Sequence, residues 1–103
     1  MPLLDDELRS RLPPLYSQEH EVDPVVHAHF YLPGTRLEWW VTEGEPRGDD
    51  FLFFGFVNGV EDEFGYFVLS ELESVRKYLV IHVERDLAFT PGRLTDVVPA
   101  PDV

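Results

Sequence analysis

Residues 51–76, FLFFGFVNGVEDEFGYFVLSELESVR, contain two apolar runs separated by a polar segment with three consecutive acids. The first run, 51–57, is apolar on both of its alternating faces, which is typical of a central strand covered on two sides. The second run, 63–69, predicts a strand that returns beside the first one as a hairpin. We therefore expect this hairpin to supply the centre of the hydrophobic core.

The turn of this hairpin can be placed in two ways. Asn58-Gly59 is a dipeptide that favours a tight two-residue turn. The acids at 61–63 also fit the tip of a longer loop, after which the returning strand would begin at residue 63. The sequence leaves both registers open. Gly55, inside the first apolar run, predicts a bulge or a closely packed neighbour.

The segments around the hairpin predict the rest of a sheet. Residues 25–32 and 36–43 alternate apolar and polar side chains with a period of two, as expected for half-buried strands. Residues 44–50, GEPRGDD, predict a loop because they are rich in glycine, proline and charge. Residues 79–90 have room for one or two more short strands.

Two short helices are predicted, one near each end of the strand region. Leucines at 4, 8 and 12 form one stripe of the first helix, which Pro13-Pro14 would end. The second begins at SELE, residues 70–73, a capping box in which Ser70 and Glu73 each accept from the other's backbone amide. This helix would extend to about residue 78. Its apolar stripe would consist of Leu72, Val75 and Leu79.

These elements together predict an α+β domain. We expect an antiparallel sheet of about four to five strands, a short N-terminal helix and one capped helix after the central hairpin. A chain of 103 residues is expected to form one domain, covering residues 1–103. Residues 92–103 have the composition of a loosely ordered tail, because their prolines cannot join a central strand.

Charge restricts the classes of partner. The chain has 20 Asp and Glu but 8 Lys and Arg, a formal net charge of −12 at pH 7. Affinity for nucleic acid comes from Lys and Arg that displace counterions, so direct binding is not expected without a metal ion. A basic protein surface is the expected partner. The alternative is that the charge only keeps the protein soluble.

Other features of the sequence restrict location and chemistry. No apolar run approaches the roughly 20 residues that span a bilayer, so no membrane association is expected. The N-terminus MPLLDDELRS has acids where a signal peptide has positive charge, which predicts a cytoplasmic protein. The absence of cysteine excludes disulfides, thiolate catalysis and Cys-ligated metals.

Carboxylates in several loops are the candidates for contact with a basic partner, provided that they share one face of the fold. A further candidate is Trp40, on the less apolar face of its strand, where it either anchors a partner or is covered by a terminal helix. Acids at 19–23 add to the same set. The main partner-binding candidates are Glu43, Glu45, Asp49, Asp50, Glu61, Asp62, Glu63 and Trp40.

A metal site is the second kind of candidate. His27 and His29 are two residues apart, which in a strand places both imidazoles on one face, and Glu38 of a neighbouring strand could be the third ligand. The alternative is a half-exposed pair of surface histidines. No cofactor other than such a divalent ion is expected. The sequence contains no Gly-x-Ser-x-Gly elbow and no Walker loop, so no catalytic residue is assigned.

Several blocks of the sequence, taken together, resemble the bacterial family known as domain of unknown function 2958. The blocks are LPPLYSQE at 12–19, TEGEPRGDDFLFFGFV at 42–57, GYFVLSELESVR at 65–76 and ERDLAFTP at 84–91. The resemblance implies a small protein carried on plasmids, phages and other mobile elements. It implies no particular catalytic residue, although it also connects the chain with a single-stranded DNA endonuclease activity.

Three functions follow from these observations. The first is a non-enzymatic accessory protein of mobile elements whose carboxylate-rich surface binds a basic, nucleic-acid-binding protein. The second is a metal-dependent phosphodiesterase or single-stranded DNA endonuclease, in which acids and histidines hold the ion that activates water. The third is a structural domain that self-associates as a homodimer through its sheet.

Overall fold

The computed structural model describes residues 2–99 and has the predicted α+β class. Its longest strands are β3 and β4, which together with β5 form the centre of the fold. The elements in chain order are α1 (Asp6–Arg11), β1 (Val25–Val26), β2 (Ala28–Tyr31), β3 (Glu38–Arg47), β4 (Asp50–Asn58), β5 (Glu63–Val68), α2 (Leu69–Ser74), β6 (Arg76–Lys77), β7 (Ile81–His82), β8 (Glu84–Arg85), β9 (Gly92–Arg93) and α3 (Leu94–Val97).

The main sheet has five antiparallel strands in the order β5-β4-β3-β2-β8. Two small ladders accompany it, one between β1 and β9 and one between β6 and β7. The fold class, the N-terminal helix and the helix after the central hairpin are thus confirmed. Within residues 2–99, no helix is long and apolar enough to cross a membrane.

The structure decides between the two possible turns of the central hairpin. Val57 of β4 pairs with Glu63 of β5, so residues 59–62 form the connecting loop. The acids therefore lie at the hairpin tip, and Asn58-Gly59 is not the turn. Gly55 lies opposite a β-bulge at residue 42 of β3, where an added Cβ would be 2.0 Å from the Trp40 carbonyl oxygen. The expected bulge and close neighbour are both confirmed.

Strand β3 is longer than the sequence pattern predicts. The expected loop at 44–50 is wrong, because β3 continues to Arg47 and β4 begins at Asp50. Gly48 begins the tight turn between them with a φ of +59°, a conformation that glycine adopts without steric cost. Glu43 and Glu45 therefore lie within a strand of the sheet and not in a solvated loop.

The hydrophobic core lies on one face of the sheet. Phe30 and Phe53 are fully buried there and meet edge to face, with ring centroids 5.6 Å apart. Leu8 of α1 and Leu72 of α2 cover them and are also fully buried. The predicted leucine stripe of α1 is confirmed by the burial of Leu8 and by its neighbours in the stripe, which pack in the same core.

The prediction of a capping box at the start of α2 is wrong. The helix begins at Leu69, and the structure shows no side-chain hydrogen bond from its N-cap residue, Val68. Asp50 instead accepts from both the amide and the hydroxyl of Ser70, with 3.1 Å between Oδ1 and the amide nitrogen. These bonds, with a third from the Phe51 amide, hold the pKa of the Asp50 carboxyl below its ordinary value. The helix is thus capped from the neighbouring hairpin.

Helix α2 is also shorter than predicted, because it ends at Ser74 and is followed by the β6–β7 hairpin. Tyr78 and Leu79 occupy the turn of this hairpin with φ values of +53° and +66°. Leu79 is 90 % exposed, so its predicted place on the apolar stripe is wrong. Val75 remains in contact with the core.

The C-terminal segment forms more structure than the predicted tail. Gly92 and Arg93 pair with β1, and Leu94–Val97 form the short helix α3. Asp23 accepts hydrogen bonds from the amide and the hydroxyl of Thr95, which fasten this segment to the chain before β1. The last four residues of the predicted tail, 100–103, lie outside the described residues.

Candidate functional site

The face of the sheet opposite the core carries a second layer of aromatic side chains. His29 pairs with Trp40, Trp40 with Phe56, and Phe56 with Phe64, which places four rings in one row across four strands. Phe54 of β4 and Tyr66 of β5 form the next row, with ring centroids 4.9 Å apart. One half of this outer face is covered by other parts of the chain, and the other half is open.

The covered half includes Trp40, for which the sequence left both partner contact and cover by a terminal helix open. The residue is only 4 % exposed because its ring stacks on His29, with centroids 3.8 Å apart, and meets the edge of Phe89. The indole Nε1 donates to the Asn58 side chain at 2.7 Å. The cover is the segment after β8 and not a terminal helix. Trp40 is therefore part of a second core and cannot anchor a partner without rearrangement.

His29 lies in the same cluster between two carboxylates. Its Nδ1 is 3.1 Å from Asp86 Oδ2, and its Nε2 is 3.3 Å from Glu38 Oε1. The two ring nitrogens point away from each other, so the two carboxylates lie on opposite sides of the imidazole. A neutral ring carries one N–H and donates to one of them, whereas the doubly protonated ring donates to both.

The predicted metal ligands are brought together only in part. Glu38 and His29 are in contact, whereas His27 lies in the one-residue gap between β1 and β2. Burial, and secondarily Arg11, lowers the pKa of His27. Within residues 2–99, no three His, Cys, Asp or Glu side chains are arranged to hold a metal ion.

The open half of the outer face forms a groove of ≈ 360 Å³. Its floor consists of the rings of Phe54, Phe64 and Tyr66, and Tyr16 faces them from the segment before β1. Phe64 is 45 % exposed and Tyr66 is 53 % exposed, which is unusual for large aromatic side chains on neighbouring positions of one sheet face. We call this site the outer groove. Its lining also includes Gln18, Glu19, Glu21, Val22, Pro24, Thr42 and Glu43.

Glu43 positions one wall of the outer groove. The residue is 3 % exposed, and its carboxylate accepts from the amides of Tyr16 and Gln18 at 2.8 and 3.0 Å. Two residues further along β3, Glu45 accepts from the Leu15 amide at 3.0 Å. Buried backbone amides need acceptors, and these two carboxylates supply them to a segment with no regular secondary structure of its own.

The side chain of Gln18 fastens the same wall to the sheet. Its amide nitrogen donates to the carbonyls of Val25 and Thr42, both at 2.9 Å, and its oxygen accepts from the Val25 amide at 2.8 Å. Tyr16 has a φ of +72°, so the wall includes one residue in a strained backbone conformation. The position of the Tyr16 ring over the groove is thus fixed by hydrogen bonds on both sides of it.

The electrostatic environment of the groove is negative. The pKa of Tyr66 is raised, first by its hydrogen bond with the Tyr16 hydroxyl, then by burial and by Tyr16 itself, and finally by the charges of Glu43 and Glu19. The side chain of Glu19 is 53 % exposed at the rim. A buried and an exposed carboxylate therefore both act on the aromatic floor, where a cationic group would be favoured.

The other predicted acids do not join this site. Asp49 and Asp50 lie at one end of β4, and the acids at 61–63 lie beyond its other end. At about 3.3 Å per residue the two ends of β4 are roughly 26 Å apart. Asp50 is bound to Ser70, and Asp62 accepts weakly from the Gly59 amide at 3.4 Å. The predicted partner-binding acids thus form separate groups, of which Glu43 and the earlier acids Glu19 and Glu21 line the outer groove.

A larger open depression of ≈ 680 Å³ lies beside α2, between the residues before α1 and the segment 80–87. Its charged lining includes Arg76 and Arg85 as well as Glu73 and Glu84. Charges of both signs line it, so it favours no single class of ligand. The outer groove combines carboxylates with exposed aromatic rings and is the more specific site.

Sequence reasoning missed the aromatic part of the outer groove. Phe64 and Tyr66 are two residues apart, which places both on one face of β5. Their position near the hairpin tip was the signal that this face is exposed. Tyr16 could not be found in this way, because it reaches the site from a connection whose path over the sheet depends on Glu43, 27 residues away.

A family model described as "Protein of unknown function (DUF2958)" matches residues 3–98. No curated protein and no solved structure matches the chain. Because the family match extends over nearly the whole chain, the protein belongs to the DUF2958 family, as the sequence blocks predicted.

Proposed function

We propose that this member of the DUF2958 family is a non-enzymatic accessory protein that binds a basic protein partner, and that the outer groove receives a lysine or arginine side chain of that partner. The observation that carries the proposal is the pairing of an exposed aromatic floor with the carboxylates of Glu19, Glu21 and Glu43 in one groove. The accessory role on mobile elements comes from the family resemblance and belongs to the same proposal.

The chemistry of the groove favours a cation with a long apolar stem. Phe64 and Tyr66 offer ring faces over which the stem of Lys or Arg can lie. An ammonium or guanidinium group within about 6 Å of such a ring is attracted by the ring's negative face. A neutral side chain of the same length would gain the apolar contact without the electrostatic attraction.

The carboxylates supply the second part of recognition. Each oxygen of Glu43 already accepts one backbone amide, but a carboxylate oxygen has a further lone pair and can accept a second donor. Glu19 and Glu21 lie at the rim, where they would attract a cation before it enters. The formal net charge of −12 extends this attraction beyond the groove and disfavours nucleic-acid phosphates at the same surface.

The proposal is tested with single amino-acid probes, because it concerns one side chain. The ¹⁵N-labelled protein is titrated with Nα-acetylarginine amide and, as a neutral control of similar shape, Nα-acetylcitrulline amide. We expect saturable shifts of the Tyr16, Gln18 and Tyr66 amide signals with a dissociation constant of the order of millimolar for the cation. The citrulline probe should move these signals much less at the same concentrations.

Two charge-neutralising variants provide the matched comparison. Glu19→Gln at the groove rim should weaken the cation's binding by about two- to fivefold, the effect of one partly exposed charge. Glu61→Gln removes the same charge at the hairpin tip and should leave the affinity unchanged. Equal shifts with both probes, equal effects of both variants, or shifts located away from the groove would show that the outer groove does not recognise a cation.

A further inference from the structure

Strand β5 forms one edge of the main sheet. It pairs with β4 over six residue positions, and among the described residues no other segment makes a backbone hydrogen bond to it. The opposite edge is β8, which has only two residues. The C-terminal half of β3, which extends beyond β2, is also covered, since the Gly44 amide donates to the Pro13 carbonyl. The long unpaired edge of the described sheet is therefore β5.

The hydrogen bonds at the start of the sheet determine which main-chain groups of β5 are unpaired. The Leu32 amide donates to Leu37, so on β3 the odd-numbered residues up to Val41 direct their main-chain groups toward β2. The even-numbered residues, such as Trp40, face β4, and their partner Phe56 faces back. Gly55 and Val57 must then face β5.

The same alternation continues across the hairpin. Gly55 pairs with Gly65 and Val57 with Glu63, so these residues of β5 use their amides and carbonyls in the ladder with β4. The main-chain groups of Phe64 and Tyr66 point outward, away from the sheet. Phe64 and Tyr66, whose rings form part of the exposed floor of the outer groove, thus also have outward main-chain groups.

Edge strands usually carry features that prevent pairing with another chain, such as an inward Lys, a proline or a short length. Strand β5, with the sequence EFGYFV, has six residues, no proline and no lysine. Its only charge is Glu63 at the end next to the hairpin tip. The edge is thus suited to accept an additional strand.

We infer that a basic, extended segment of the partner joins the sheet as a sixth strand along β5 and places every second side chain beside Phe64 and Tyr66. The inference rests on the proposed function, because it describes how the cationic side chain reaches the outer groove. Neighbouring strands are about 4.8 Å apart, so a Lys or Arg on the added strand can extend across β5 into the groove. A second copy of this chain is disfavoured at the edge, since each copy has a net charge of −12.

The test uses a synthetic eight-residue peptide in which Arg and Thr alternate, and two derivatives that carry N-methyl groups on either the odd or the even residues. A paired strand directs every second amide to its neighbour, so one derivative should lose at least about tenfold in affinity. The other should bind within about threefold of the parent. Loss of affinity that is equal for the two derivatives, or absent from both, would overturn the added strand.

A pair of protein variants tests the backbone hydrogen bond between the added strand and the outward amide of Phe64. Phe64→Ala removes the ring, and Phe64→Pro removes both the ring and the outward amide, which the ladder with β4 does not use. Proline is tolerated at such edge positions. We expect the proline variant to bind the parent peptide about tenfold more weakly than the alanine variant. Equal affinities of the two variants would contradict the inference, and the methylated peptides decide the matter if the proline variant does not fold.

The results also separate this inference from the proposed function. Binding of Nα-acetylarginine amide in the outer groove, without any difference between the two methylated peptides, would retain the cation site and refute the added strand. Failure of both the amino-acid probe and the peptides would refute both. A concentration-dependent dimer that Phe64→Pro dissociates would show that the edge pairs with a second copy instead.

Discussion

The opposed glycines of the central hairpin permit a sharp test of how the outer face is built. Gly55 of β4 and Gly65 of β5 are direct partners in the ladder. A Cβ on Gly55 would lie 2.0 Å from the carbonyl oxygen of Trp40 and 2.9 Å from its carbonyl carbon. A Cβ on Gly65 would have no heavy atom within 4 Å. The same substitution thus meets a backbone on one strand and open space on the other.

The magnitude follows from this difference. Gly55→Ala forces β3 and β4 apart at the bulge, and overpacking of this kind costs about 1–3 kcal/mol of unfolding free energy. For a domain of this size, each 1 kcal/mol lowers the midpoint of thermal unfolding by about 4–8 °C. Gly65→Ala should be neutral or stabilise by up to about 1 kcal/mol, because alanine loses less conformational entropy on folding.

Thermal and urea unfolding of the two variants and the parent protein measure the effect directly. Circular dichroism follows the transition, and the urea slope shows whether the unfolded surface area is unchanged. If Gly55→Ala proved as stable as the parent, or if both variants lost the same stability, the contact with Trp40 would not explain why glycine is present at residue 55.

Three other changes test the remaining contacts. Glu43→Gln keeps the shape but leaves one of two buried amides without an acceptor, so we expect a loss of about 1–3 kcal/mol in urea unfolding, whereas Glu61→Gln at the exposed tip should change little. His29→Ala removes the stack on Trp40 and both carboxylate contacts; it should cost roughly 2–4 kcal/mol and speed hydrogen exchange in residues 84–89. Asp50 has a folded-state pKa below its ordinary value of 3.8, so its contribution is present above that pH and is lost as the pH falls through the folded-state pKa. The melting temperatures of Asp50→Asn and the parent should accordingly differ at pH 6, and this difference should shrink as the pH falls below about 3.8 and through the folded-state pKa. A difference that stays constant throughout this titration would contradict the assignment.

The strands that depend on local pattern could be predicted from the sequence. The run at 51–57 is apolar on both faces, and in the structure one face packs in the core while the other carries Phe54 and Phe56. Gly55 also had a local signal, because glycine inside a strand weakens it unless a neighbour requires the space. Periodicity and the conformational preference of glycine are properties of a few consecutive residues, so no tertiary information was needed.

The helix after the hairpin shows where local patterns fail. The SELE motif is compatible with a capping box, but the carboxylate of Asp50, 20 residues earlier, accepts from Ser70 instead. The tight turn at Gly48 places Asp50 at the start of β4, and the ladder then brings β5 and its C-terminal end beside it. A contact formed through the register of two strands has no signal at the position of the helix itself.

The acids show the same distinction between local appearance and tertiary role. Three consecutive acids at the hairpin tip are conspicuous in the sequence, yet they have the exposure of a solvated loop. Glu43 looked like one member of a charged loop, but the bulge in β3 directs it under the segment that contains Tyr16. Its burial is explained by the two amides that it binds.

The carboxylates of Glu19 and Glu21 have no such structural explanation. Among the described residues, Glu19 contacts the imidazole of His20, next to it in the chain, at 3.4 Å, and Glu21 pairs with Arg93 at 3.6 Å on the surface. Exposed pairs of this kind contribute about 0–1 kcal/mol, so the fold does not depend on them. Both nevertheless line a groove whose aromatic floor is left open and which borders β5, a strand that pairs only with β4 among the described residues. The exposed rings, the two rim carboxylates and the free edge of β5 do not stabilise the monomer, yet they occur together at one place. A cationic strand would cover the rings, pair with the carboxylates and complete the hydrogen bonds of the edge.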